Sequence, residues 1–215
     1  MTHLVPIFER FERRLVELED VFAAWIAETS PALRAEDHMF LEGLVSTVWQ
    51  HWSLFCRRLV FASALGCTTR GGIVISACVT PVTWGRVSHI ACQVKNGKPI
   101  QHGKENLDLW KEPTWGDLQK LHDFLSALQP QNVLHLTQCF GAISRGPVHV
   151  QVVRNASAHR NHQSLGRVRE LRAYYNVHPI RHPVEAVTWV DPTSRDYAFV
   201  AWLDEMRLAA HIATD

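Results

Sequence analysis

The chain reads as an all-α protein, an up-and-down helical bundle with an irregular insertion between its second and third long helices. Three observations carry this. Apolar residues recur at three- and four-residue steps over most of the chain, the helical period. The best-patterned stretch, residues 37–65, keeps one apolar stripe throughout. Glycine, proline and asparagine instead crowd into residues 67–114, which lack that period.

Residues 5–29 form the first expected helix, with Phe8, Phe11, Leu15, Leu18, Phe22, Trp25 and Ile26 on one face. Ser30-Pro31 stops it and can also start the next, because proline disfavours helical geometry in the residue before it. In residues 37–65 the stripe runs Leu41, Leu44, Val45, Val48, Trp52, Phe55, Leu59, Val60, and Arg57 and Arg58 fall off it. Trp49 and Trp52 widen it, for the core or for a dimer seam. Gly66 follows as a C-terminal glycine, and the first two helices form an antiparallel pair.

Residues 67–114 are expected to leave the bundle as a loop with a short hairpin. Gly71-Gly72 opens the β-branched run Ile73-Val74-Ile75. Val87–Val94 is a candidate strand, and Asn96-Gly97 is a hairpin-type turn signal. Trp110 and Trp115 bracket Pro113 and are placed to pin the excursion down. Helical spacing resumes from Trp115 to Leu128 and in a short helix after Pro130. Val148–Val152 alternates like a strand, but Pro147 at a first helical position and the Ala-Ser-Ala end favour a helix to Ala158. Ser164–Tyr175 is another helix, 176–192 a proline-rich loop, and Thr193–Asp196 resembles a capping box before a final helix to about Ile212. The whole of 1–215 is expected to be a single domain.

Composition narrows the function. The chain has 215 residues, 47% hydrophobic and 20% charged, as ordinary globular domains do. No run is long and apolar enough for a membrane span. The charged N-terminus has no apolar signal core, and the five scattered cysteines contain no CxxC. Both point to reduced thiols in a cytoplasmic protein. Net charge is only +1, but its distribution is uneven. Between Arg154 and His182 lie six arginines and four histidines against one acid, Glu170. Such a patch attracts phosphate backbones, and a solvated helix face is its bland alternative.

Val152–Asn161 lies at the head of that patch. Arg154 and His159 sit one helical turn apart, a permanent phosphate clamp beside a side chain that moves protons near neutral pH. With 17 arginines and 13 histidines the bare spacing is met about once by chance. Context raises it: Asn155 follows the arginine, and Ala156, Ser157 and Ala158 leave room for a close approach. Arg160, His162, Arg167, Arg169 and Arg172 then read as phosphate-backbone contacts, with a solvated surface as the alternative. Ser157 as a nucleophile lacks a base. His159 and His162, with His149 nearby, as a metal pair lack matching Cys or carboxylate spacing, so no metal site is assigned.

Arg154-Asn155-x-x-x-His159 resembles the signature of the HEPN superfamily, all-α domains many of which are metal-independent endoribonucleases of toxin–antitoxin, CRISPR-associated and antiphage systems. The likeness extends to the motif's late place in a helical bundle and the aromatic second helix around Trp49, Trp52 and Phe55. Residues 67–114 have no counterpart. The resemblance implies a homodimer with two motifs in one cleft and an RNA substrate, without a cofactor. Arg154 binds the transition-state phosphate, Asn155 orients, His159 exchanges protons, and a cognate antitoxin or regulator is a further partner. Members regulated by a nucleotidyltransferase often carry H-x-Y, but Asn161 stands at that tyrosine's position. A non-catalytic helical module binding RNA or protein is the alternative.

Overall fold

The computed structural model describes residues 2–29, 33–143 and 145–215. It is mostly helical, with a three-stranded sheet of two-residue strands. The elements are β1 (Thr2–His3), α1 (Val5–Glu28), α2 (Ala35–Leu65), β2 (Cys67–Thr68), β3 (Val74–Ile75), α3 (Trp84–Lys95), α4 (Leu118–Leu128), α5 (Val133–Gly141), α6 (Gly146–Ala158), α7 (His162–Glu170) and α8 (Ala198–Thr214). Short 3₁₀ turns occupy Leu109–Lys111, Leu171–Tyr174 and Pro183–Thr188. The expected boundary at Ser30-Pro31 lies outside the described residues. No described helix is long and apolar enough to cross a membrane.

The chain divides into two compact units, and α1, α2 and α8 each contribute to both. The first holds the residues up to Phe11, Ser53–Ile143 and Ala209–Asp215. Its core gathers Phe8, Phe11, Phe55, Leu59, Val87, Leu121, Phe124 and Phe140. Phe11 stacks on Phe55 at 4.7 Å, and buried Trp115 packs between Phe61 and Phe124. The sheet lies here, β1 parallel to β2 and β2 antiparallel to β3, with Cys67 opposite Ile75. The antiparallel β2–β3 pair lies within the 67–114 segment, but not at the Asn96-Gly97 turn signal. Gly66 has φ +93°, and a Cβ there would meet the backbone of Ile75 and Ala77 at 3.3 and 3.2 Å, so glycine is needed where α2 turns into the sheet.

Val87–Val94 is corrected: it belongs to helix α3, not to a strand. Thr83 caps the helix, its Oγ1 accepting from the Arg86 amide at 3.2 Å, and Val87, Ile90 and Ala91 are buried. Asn96-Gly97 ends that helix and is no hairpin turn. The Asn96 side-chain amide donates to the Cys92 carbonyl at 2.7 Å, and Gly97 takes φ +61°. Trp115 does pin the segment, also donating to Glu112 at 2.9 Å, but Trp110 is 81% exposed and pins nothing. Arg57 grips Glu112 with two bonds, of 2.6 and 2.9 Å. Burial opposes ionisation of Glu112, yet these bonds from Arg57 and Trp115 hold its carboxyl below the usual range.

The second unit comprises Glu12–Trp52 and the described residues from Arg145 to Leu208. Trp25 stacks on Phe40 and donates to Asp37 at 3.1 Å, joining the end of α1 to the start of α2 as in a helical hairpin. Trp49 and Trp52 are buried in this chain itself, so they are core residues. The Thr193–Asp196 stretch is no capping box. Asp191 Oδ1 instead accepts from the amides of Thr193 and Ser194 at 2.8 and 3.0 Å, its carboxylate bonds Arg145, and Arg195 takes φ +70°. Four of the five cysteines are buried, and all five are free thiols.

Candidate functional site

Helix α6 presents the Arg-Asn-His stretch. Its first turn is set by Pro147 and by Glu205, whose carboxylate accepts from the amides of Arg145 and Gly146. His149, Val150, Val153 and Ala156 are buried, which turns Arg154 and Asn155 to the half-buried flank. Asn155 then links the motif. Its side-chain Oδ1 accepts from Arg154 Nη1 at 3.1 Å, and its backbone carbonyl accepts from the His159 amide at 2.8 Å. That amide bond is the last of the helix. His159 leaves helical geometry with φ −127° and ψ 70°, and it is exposed.

The link to α7 is short and tied by hydrogen bonds at both ends. The His159 carbonyl accepts from the Asn161 amide and from Ser164 Oγ. Asn161 caps α7 through the Ser164 amide at 2.9 Å, and Ser164 Oγ accepts from the Asn161 amide at 3.3 Å. Asparagine at this position therefore has a structural task that tyrosine cannot perform. Ser157 Oγ donates to the Val153 carbonyl at 3.0 Å, an ordinary intrahelical bond.

The five expected RNA contacts separate into two groups. His162, Arg167, Arg169 and Arg172 are exposed, and neither these arginines nor Arg154 forms an ion pair among the described residues. Arg160 differs, since its Nη2 donates to Glu42 Oε1 at 2.7 Å. Glu42 belongs to a cluster absent from the sequence reading. His182 Nε2 lies 3.2 Å from Glu42 Oε1, within ion-pair range but not aligned for a hydrogen bond. His182 stacks on His38 at 4.7 Å, and His38 Nε2 is 2.8 Å from Glu185 Oε1. Glu185 also accepts from the amides of Arg181 and His182 at 3.0 and 3.1 Å. Burial, then the charges of Arg160 and His38, push the His182 imidazole below its usual range, against Glu42 and Glu185. The capping-type spacing of His182 and Glu185 is the one local signal that could have exposed this cluster.

His149 stands apart from His159 and His162. It is buried, with Nδ1 2.7 Å from the Tyr175 hydroxyl, which also accepts from Trp202 Nε1 at 2.7 Å. Tyr175 thereby joins the His149 imidazole to the Trp202 indole in one buried chain of hydrogen bonds. Burial lowers the pKa of His149 to about 4. No group of three or more His, Cys, Asp or Glu side chains suited to a metal ion occurs among the described residues. A cavity of about 700 Å³ in this unit, walled by Trp25, His178, Arg181 and Tyr197, includes neither Arg154 nor His159.

Comparison with known proteins returns no match: no family model matches the chain, nor does any curated protein or solved structure.

Proposed function

We propose that the chain is a metal-independent endoribonuclease of HEPN type, acting as a homodimer in the cytoplasm as a toxin or antiphage effector. One observation carries the reading: Asn155 holds the Arg154 guanidinium with its side chain and the His159 amide with its backbone. A cation and an exposed imidazole are thereby set at one helix end, and no carboxylate pairs with the cation among the described residues. The exposed arginines of α7 and the following turn supply charge for an RNA backbone.

In the reaction the 2′-oxygen attacks the adjacent phosphorus. Its proton passes to His159, the bond from phosphorus to the 5′-oxygen breaks, and the partner's His159 protonates that oxygen. Arg154 neutralises the charge that builds on the phosphoryl oxygens. The products are a 2′,3′-cyclic phosphate and a 5′-hydroxyl.

The test is cleavage of a labelled RNA with excess EDTA present. Arg154→Ala is expected to lose about 100-fold in rate, as when one donor to a developing anion is removed, and His159→Ala at least as much. Circular dichroism checks that both variants stay folded. Intact RNA with the wild-type protein, or equal cleavage by His159→Ala, ends the enzymatic proposal. Unpaired Arg167, Arg169 and Arg172 favour a second reading, a non-catalytic RNA-binding module, which predicts salt-dependent binding without cleavage.

A further inference from the structure

The first unit carries a second concentration of cationic and aromatic groups, in the segment that the sequence left without a role. Residues 95–111 hold four of the chain's five lysines, at 95, 98, 104 and 111, against Glu105 and Asp108. Trp110 stands among them and is the most exposed large apolar side chain of the described residues, at 81%. An exposed indole on a loose loop would mean little, but this backbone is anchored. The Lys111 carbonyl accepts from Cys92 Sγ at 3.4 Å and from Lys95 Nζ at 3.3 Å, tying the 3₁₀ turn to the end of α3. Glu112 is held by Arg57. The Lys111 ammonium lies 5.1 Å from the indole centroid and pairs with Asp108.

Beside the indole is a cavity of about 340 Å³ lined by His89, Gln93, Lys95, Asn96, Asn106 and one carboxylate, Glu105. Amides and an imidazole can match the donor and acceptor edge of a base, and ammonium groups match its phosphate. A flat π surface with adjacent cations is what proteins use to hold unpaired bases without strict sequence preference.

We propose that Trp110 and this cavity bind an unpaired nucleotide of single-stranded RNA, the base stacking on the indole and its phosphates facing Lys95 and Lys111, the two ammonium groups at the cavity. The proposal rests on the RNA reading above and adds a substrate-holding site remote in sequence from Arg154 and His159.

The test uses the full chain with His159→Ala, so that the RNA stays intact, and measures anisotropy of a labelled single-stranded RNA. Adding Trp110→Ala is expected to weaken binding about 10-fold, as loss of one base stack does, while Trp110→Phe keeps most of the affinity. Binding of a blunt RNA duplex is expected to be unchanged by Trp110→Ala. Equal single-strand affinity with and without Trp110, an equal loss on duplex, no RNA binding at all, or a fall in molecular mass on Trp110→Ala without an affinity change would each overturn the site. Cleavage by the wild type with Trp110-independent affinity sinks this proposal and keeps the catalytic one. Trp110-dependent binding without cleavage does the reverse.

Discussion

His149, in α6 just ahead of the basic segment, is a histidine placed in the core rather than at the surface. Its pKa of about 4, against 6.5 for an ordinary histidine, means that the fold excludes the charged form. For a base lowered in this way the sign is fixed. The folded and unfolded states bind protons alike above the unfolded value, so the contribution is complete there. As pH falls below 6.5 the unfolded state takes up a proton that the folded state refuses, and stability drops until about pH 4. The loss at about pH 5 is about 2 kcal/mol. His182 is lowered too and acts in the same direction. The urea midpoint is therefore expected to fall between about pH 7.5 and about pH 5, and to fall less in His149→Gln, which cannot titrate. An equal fall in both proteins would show that His149 does not carry this acid sensitivity. Tyr175, Trp202, Glu205 and Arg145 face the same imidazole and are present in both proteins, so the difference isolates residue 149.

At the scale of an element, α3 and the strand of chain after it form one device. Arg86 is buried, and its Nη1 donates to the carbonyls of Gln101 and Lys104 at 2.5 and 3.1 Å. The Asn106 amide donates to the Gly85 carbonyl at 2.8 Å. These bonds hold residues 98–106 on the helix although most of their side chains face solvent. Arg86→Met removes two charge-assisted bonds and should lower the cost of local opening by more than 1 kcal/mol, raising trypsin cleavage after Lys104 about 10-fold. Unchanged cleavage would show that the strap is held elsewhere. The same element marks where sequence reading failed. Asn96-Gly97 has identical local chemistry as a hairpin turn or as a helix end, and only Thr83 and the buried face of Val87, Ile90 and Ala91 decide between them. The helices containing residues 41–60 and 199–210 were legible because their apolar period runs over many turns. In the candidate site the Arg-Asn-His stretch was legible, since its three residues are neighbours. The Arg160 contact to Glu42 spans 118 positions, and the His149 contact to Tyr175 spans 26, so no local pattern announces either.

At the scale of the molecule, the proposed reaction turns on the number of chains per site. Arg154 and His159 are joined through Asn155, and in the proposed reaction one copy of the motif supplies one imidazole where transesterification moves two protons. A symmetric pair of chains supplies both, with each copy using the same surface. Mixing then gives a quantitative signature. When wild type and His159→Ala are co-folded at about one to three, only about a quarter of wild-type chains meet a wild-type partner, so cleavage per wild-type chain should fall to about a quarter. The RNA must be in large excess, because the variant also binds it. Sites complete within one chain predict no change per wild-type chain under those conditions. Dilution gives a second axis: specific activity of the wild type should fall once the chain is diluted below the dimer dissociation constant, and the fall should coincide with loss of dimer mass by sedimentation. Constant specific activity across that mass change would place the whole reaction in a single copy and leave the second proton to another group.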